Sequence, residues 1–210
     1  VRRTPMYEIF TSMGAVWGAQ FGLEVPNYFT KAGEPNFEAP SFRRSNAWEA
    51  TKREVKAVRQ SVGINEVHNF SKFLVTGPNA RTWLDRVMAG RIPKPGRLSL
   101  TPMLSHKGKL IGDFTVSCIN EGKFQLTASY SSQEYHHRWF EKNMEDGVQL
   151  ENISDQRNGF QIAGPKAAEV LQACTSTVIS EIKFLDVVEM VVGSTDCLVQ
   201  QVSYTGSHGF

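Results

Sequence analysis

Asp113 stands inside Leu110-Ile111-Gly112-Asp113-Phe114-Thr115-Val116, an apolar, β-branched run that reads as a strand. Aspartate is a poor strand former, and taking its carboxylate out of water is costly unless a partner compensates. Period-two alternation puts Asp113 on one face with Ile111 and Thr115, and Leu110, Gly112, Phe114 and Val116 on the other. Two readings stand: an acid on the solvated face of a half-buried strand, or an acid lining a cleft.

Other residues of chemical interest are weaker. His136 and His137 fall on a predicted helix, where adjacent side chains point about 100° apart and cannot chelate one metal ion, so they are expected as solvated surface histidines. His106 and Lys107 occupy a predicted hairpin tip. Ser203, Ser207 and His208 are the elements of a hydrolase, but no strand-to-helix nucleophile elbow surrounds them. Gly77 and Gly164 are single glycines, with no G-x-G-x-x-G or P-loop pattern in the chain, so no Rossmann site for FAD or NAD is indicated. Cys118, Cys174 and Cys197 are odd in number, widely spaced and set in apolar stretches. They are expected as reduced core thiols of a cytosol-like compartment, with neither a disulfide frame nor a zinc site.

The elements that would position these groups are legible in outline. Phe73-Leu74-Val75-Thr76-Gly77-Pro78-Asn79-Ala80 with Leu84 is repeated as Phe160-Gln161-Ile162-Ala163-Gly164-Pro165-Lys166-Ala167 with Leu171, in the same order and spacing. Each copy reads as strand, Gly-Pro turn and helix, the glycine supplying the sharp turn and the proline suiting the first helical turn. Between the copies, strands are predicted over 98–103, 109–119 and 123–128, joined as hairpins, and a helix over 131–144 with Tyr135, Trp139 and Phe140 as its apolar contacts. A helix over 48–62 with Val55, Val58 and Val62 on one face precedes the first copy and is ended by Gly63; strands over 187–192 and 197–204 follow the second. Residues 1–46, rich in Gly, Pro and aromatics, read as an extended arm packed over its own or a neighbouring domain. The expected class is α+β: mixed or antiparallel sheets with helices on one side, in pseudo-duplicated, ferredoxin-like units.

Composition narrows the function. With 23 Lys and Arg against 21 Asp and Glu, the net charge of +2 gives no nucleic-acid surface. No apolar run approaches the ~18 residues of a membrane span, and no signal-peptide pattern opens the chain. The start at Val1 and the glycine-rich end lead us to expect an excerpt of a longer polypeptide.

Several motifs in register resemble one family. Tyr28-Phe29, Pro40-Ser41-Phe42-Arg43-Arg44-Ser45-Asn46 and Glu54-Val55-Lys56-Ala57-Val58-Arg59 are similar to the approach to the folate-binding half of the dimethylglycine and sarcosine dehydrogenases. Leu100-Thr101-Pro102-Met103-Leu104, His106-Lys107-Gly108-Lys109, Gly112-Asp113-Phe114-Thr115, Ile162-Ala163-Gly164-Pro165 and Val202-Ser203-Tyr204-Thr205-Gly206 continue the likeness, which extends more distantly to the glycine-cleavage T-protein aminomethyltransferases. The resemblance implies that residues 1–46 link a FAD-dependent oxidoreductase domain, not in this chain, to the N-terminal part of an aminomethyltransferase-like folate-binding domain over 47–210. It implies that the flavin half oxidises an N-methyl amine and that this half captures the iminium carbon on tetrahydrofolate, as 5,10-methylenetetrahydrofolate. Asp113 would then be the acid near the reactive folate nitrogens, with Thr115, Met103, Tyr204 and Ser207 as folate contacts. The family's Tyr-Thr-Gly-Glu glutamate is replaced here by Ser207, which offers the pterin a weaker, uncharged acceptor. A stand-alone aminomethyltransferase or folate-dependent demethylase and a non-catalytic regulatory paralogue are the alternatives. The partners implied are a small-molecule substrate and the flavin domain of the same polypeptide, without nucleic acid or membrane, in the cytosol or the mitochondrial matrix.

Overall fold

A computed structural model describes residues 1–204 and 206–210; Thr205, inside the Tyr204-Thr205-Gly206 motif, lies outside the described residues. The central feature is a five-stranded antiparallel sheet of β4 (Phe70–Thr76), β5 (Arg97–Leu104), β6 (Leu110–Asn120), β7 (Lys123–Ser129) and β8 (Gln149–Asn152), in the order β5-β6-β7-β4-β8. One face is covered by α3 (Ala80–Val87) and α4 (Gln133–Lys142). There Phe73, Val75, Phe114, Val116, Phe124 and Leu126 pack against Trp83, Leu84 and Phe140 to form the main core. Trp83 Nε1 donates to the Asn143 carbonyl at 2.6 Å, so the indole is buried without losing its hydrogen bond.

The Gly-Pro repeat is a structural repeat. In the first copy β4 leads into α3; in the second β9 (Phe160–Ala163) leads into α5 (Ala167–Gln172). Gly77 and Gly164 both sit at φ +125°. Each is roofed by backbone: a Cβ would meet Gly147 O at 2.2 Å on Gly77, and Ser61 O and Val58 O at 2.5 Å on Gly164. The roofing carbonyls also receive amides two residues on, Asn79 N to Gly147 O at 3.3 Å and Lys166 N to Ser61 O at 2.9 Å. Glycine is therefore required twice over, by conformation and by space. β9 pairs on one side with β3 (Gly63–Glu66) and on the other with residues 208–210, through Gly164 N to His208 O and reciprocal bonds between Ile162 and Phe210. The hairpin of β10 (Val187–Val192) and β11 (Thr195–Gln200) packs with α5 around Leu171, Ile179, Met190 and Val199.

Several expectations need correction. The predicted arm is folded: α1 (Tyr7–Ser12) precedes a hairpin of β1 (Ala15–Gln20) and β2 (Leu23–Phe29). Its two-residue loop, Phe21 at φ 50° and Gly22 at φ 83°, has positive φ at both positions, the mark of a tight hairpin turn, but phenylalanine disguises it. The helix α2 (Ala47–Gln60) docks on this hairpin through Ala47 and Ala50 rather than through a valine stripe, and Val55 is exposed. It ends before Gly63, with Ser61 at its C-cap. His136 is buried, not solvated, and Tyr135 is the exposed residue of that pair, because the inward face of α4 runs through His136 and Phe140. The last strand stops at Gln200 rather than 204. All three cysteines are free, but only Cys118 is a core residue; Cys174 is exposed and Cys197 half-buried.

Candidate functional site

The second face of the five-stranded sheet carries the polar residues. Across one row of this face, Leu100 on β5 lies opposite Thr115 on β6, Thr115 opposite Thr127 on β7, and Thr127 opposite Lys72 on β4. Asp113, two residues before Thr115, shares the face and lies opposite Pro102. This end of the sheet is open: Asp113 is exposed and Leu100 is 76% exposed. The Asp113 carboxylate makes no hydrogen bond or ion pair among the described residues.

The other end of the face is closed. Ser117 and Gln125 are buried, and Gln200 at the end of β11 donates from Nε2 to Ser117 Oγ at 3.0 Å. Leu98 N donates to Leu185 O at 2.9 Å, tying β5 to the same cover. The segment after Gln200, which bears Tyr204 and Ser207, thus starts from above the face that carries Asp113. It walls a cavity of about 380 Å³ with Phe184, Gln201, Val202, Ser203, Ser207 and His208 among its lining residues. Among the described residues, the buried Gln201 Oε1 has no hydrogen-bond partner.

The sequence-predicted residues separate into three places. Asp113 and Thr115 share the open face, with Thr115 half-buried. Ser207 lines the cavity, of which Asp113 and Thr115 are not lining residues, and Tyr204 is 98% exposed. Met103 is not brought to either place. It lies opposite Gly112 with its side chain in the main core, fully buried under the helices.

Two polar groups here escape a sequence reading. Lys72 is only 6% exposed, its Nζ donates to the Phe70 carbonyl at 3.0 Å, and burial pushes its pKa from 10.5 down to about 8, against a nearby Asp155 that favours the charged form. A lysine within a strand was the available signal, of the same kind as Asp113. Gln201 carried no such signal, since its interest comes from an acceptor left unpaired by the fold. A second cavity of about 400 Å³ lies between α3, the β5–β6 turn and α4, with His106, Trp139 and Arg86 in its wall. Arg86 is already compensated there by Glu145 at 2.6 Å and by the Asn143 carbonyl at 2.7 Å. Among the described residues no three His, Cys, Asp or Glu side chains could together hold a metal ion, and no helix is long and apolar enough to cross a membrane.

Comparison with known proteins places this geometry. The chain is 34% identical over 198 residues to mitochondrial dimethylglycine dehydrogenase of Homo sapiens, across 92% of this chain and 23% of that protein. It is 32% identical over 160 residues to an aminomethyltransferase of Natranaerobius thermophilus, across 75% of this chain and 44% of that one. The chain therefore spans about a quarter of the length of the dehydrogenases it matches. The crystal structure of the glycine cleavage system aminomethyltransferase T from Bartonella henselae shares the fold, with a TM-score of 0.81 at 20% identity over 99% of this chain and 52% of that one. A heterotetrameric sarcosine oxidase from Corynebacterium sp. U-96 shares it more loosely, with a TM-score of 0.55 at 17% identity over 80% of this chain and 85% of that one. The model of the GCVT N-terminal domain matches residues 6–210, nearly the whole of the chain. The pseudo-duplicated α+β fold, its Gly-Pro turns and these relatives agree, and the chain belongs to the GCVT N-terminal domain family.

Proposed function

We propose that this chain is the tetrahydrofolate-binding, one-carbon-accepting domain of a flavin-dependent N-methylglycine dehydrogenase of the dimethylglycine and sarcosine type. The observation that carries the reading is an unpaired carboxylate, Asp113, aimed outward beside Thr115 from a strand of a chain 34% identical to a dimethylglycine dehydrogenase. The chain has no dinucleotide-binding glycine fingerprint, so its residues do not fit FAD, and a flavin would be held by another part of the polypeptide. The fit to a pterin is better. An amino-pyrimidine edge presents N–H donors, and the cavity that Ser207 lines is also lined by Gln201, whose buried Oε1 has no hydrogen-bond partner among the described residues. Gln201 stands in for part of what Ser207 has lost as a carboxylate.

Tetrahydrofolate would supply the amine nitrogens that take up the one-carbon unit. Asp113 would accept the proton that such a nitrogen sheds, and its negative charge would favour a cationic carbon placed beside it. Thr115, one step along the same face, would orient the ligand with its hydroxyl. Lys72, buried across the row from Thr115, and Ser117, closed off further along the face, would serve the fold rather than the ligand.

Titration calorimetry of the protein with tetrahydrofolate tests the reading, with Ser207→Glu and Gln201→Leu alongside. We expect measurable binding, tightened about tenfold to a hundredfold by Ser207→Glu through a charge-assisted pair of ~1.5–3 kcal/mol. Gln201→Leu should weaken it about twofold to tenfold, the range of one neutral hydrogen bond. A folded protein that binds no reduced folate in any form would overturn the proposal in favour of a non-catalytic paralogue. Binding and transfer without any flavin-bearing partner would favour a stand-alone aminomethyltransferase, the reading that the relative in Natranaerobius thermophilus supports.

A further inference from the structure

We propose that His136 is a positioning residue: from behind the sheet it locks a β-bulge at Ile111 and so fixes the direction in which Asp113 points. The inference rests on the role given to Asp113 above. In the β5–β6 ladder Leu104 lies opposite Leu110 and Met103 opposite Gly112, so Ile111 has no partner of its own. The turn is pinned by Ser105 N to Lys109 O at 2.8 Å and Gly108 N to Ser105 O at 2.8 Å. Were the register to run on from that turn unbroken, Met103 would face Ile111, Pro102 would face Gly112 and Asp113 would lie opposite Thr101. Thr101 is fully buried on the helix-covered side. One extra residue is thus the difference between Asp113 on the open face and Asp113 driven at the core, because a one-residue slip exchanges the two faces of a strand.

The bulge accounts for an observation that alternation does not predict: Ile111 and Gly112 both turn inward, and Ile111 joins the core although it shares its parity with Asp113. A bulged residue leaves backbone groups outside the ladder, and in a buried position they need another partner. His136 supplies it. Its Nε2 lies 3.2 Å from the Ile111 carbonyl, which can only accept, so the imidazole donates from Nε2. The ring fills the space over Gly112, where a Cβ would fall 2.3 Å from Nε2, and the Phe114 ring packs against it at 4.7 Å between centroids. The imidazole therefore touches Ile111, Gly112 and Phe114, the residues on both sides of Asp113, and holds them from the face opposite to the carboxylate. Burial keeps it neutral, and its Nδ1 has no partner among the described residues. An apolar residue would fill this core position without that orphan, so the hydrogen bond to the bulge is what the histidine adds.

The test compares His136→Leu, which fills the space without a donor, with His136→Gln, which restores one, in the full-length protein. Amide hydrogen exchange followed by mass spectrometry reads the strand directly. We expect His136→Leu to speed exchange over 110–114 at least tenfold while the amides of β4 and β7 keep their protection, and His136→Gln to return it to within about threefold of the starting protein. Turnover in the tetrahydrofolate-dependent step should fall at least tenfold in His136→Leu with its KM within about twofold, and recover in His136→Gln. Unchanged exchange at 110–114, or a rise shared equally by the whole sheet, overturns the lock and leaves His136 an ordinary core residue. Local loosening with turnover intact supports the lock and sinks the catalytic assignment of Asp113 instead. Should His136→Leu fail to fold, Gly112→Ala reaches the same bond from the other side, and the same comparison of 110–114 with β4 and β7 decides.

Discussion

Alanine at Gly164 should be among the most damaging single substitutions in this chain, and alanine at Gly77 its equal. At φ +125° an L side chain is held outside its allowed regions, a strain of order 1–3 kcal/mol. The added Cβ would also meet two carbonyl oxygens, Ser61 O and Val58 O, at 2.5 Å. Backbone atoms cannot rotate away as a flexible side chain does, so relief requires β9, α2 or the Gly-Pro turn to move, at a further ~1–3 kcal/mol. The sum is about 2–6 kcal/mol, a large part of the stability of an ordinary domain. Gly22→Ala provides the control, because Gly22 sits at φ +83° with nothing within 4 Å of its would-be Cβ. That variant carries the backbone cost alone, about 1–2 kcal/mol. Urea unfolding followed by circular dichroism gives each value as midpoint shift times slope. The reasoning is refuted if Gly164→Ala or Gly77→Ala costs no more than Gly22→Ala, since the roofing carbonyls would then be yielding and the glycines retained for conformation only.

Asp113→Ala should abolish one-carbon transfer while moving stability by no more than about 0.5 kcal/mol, because the carboxylate is exposed and has no partner among the described residues; full transfer activity in the complete enzyme would remove Asp113 from the mechanism. Lys72 titrates at about 8 when folded against 10.5 when unfolded, so between these values the unfolded chain holds more protons and folding stability rises with pH, while below about 8 the full penalty of the buried ammonium is present. Lys72→Met should flatten that part of a stability profile measured from pH 7 to 10.5, and an unaltered slope would show that the amine is solvated. Ser207→Glu, in the wall of the cavity, should tighten tetrahydrofolate while Asp113→Ala leaves the Kd within about threefold, a separation of binding from chemistry readable by calorimetry.

The Gly-Pro copies were legible because the requirement they meet is local and severe: a positive φ under a carbonyl roof admits one residue type, so the same letters recur wherever the turn recurs. The hairpins on both sides of β6 were legible through ordinary turn chemistry: Gly108 supplies a positive φ in open space, and Asn120 Oδ1 accepts from Gly122 N at 3.0 Å. What escaped was settled between elements. Phe21 occupies a positive-φ turn position that sequence statistics assign to Asn or Gly, and it hides the first hairpin behind the look of an extended arm. His136 reads as a surface residue on the helix taken alone; it is buried because Gly112, on a different element, leaves the space it fills. Met103 read as a site residue by its place in a motif, but strand parity turns it into the core, opposite Gly112 rather than Asp113.

The same parity bears on why Asp113 is there at all. Its carboxylate is held by nothing among the described residues, contributes no ion pair, and sits in a strand that disfavours it, so folding alone gives no account of it. Placing it outward takes a bulge that breaks the ladder, a glycine where β6 could have carried a stabilising side chain, and a buried imidazole with one nitrogen unsatisfied. Each of these lowers stability relative to a regular apolar hairpin, by the lost ladder bond, the glycine and the orphan nitrogen respectively. A solvated surface aspartate requires none of them, because in an unbulged hairpin any outward position would serve. The three departures from regularity converge on one carboxylate direction, and that convergence is the physical ground for reading Asp113 as the group the hairpin is shaped to present.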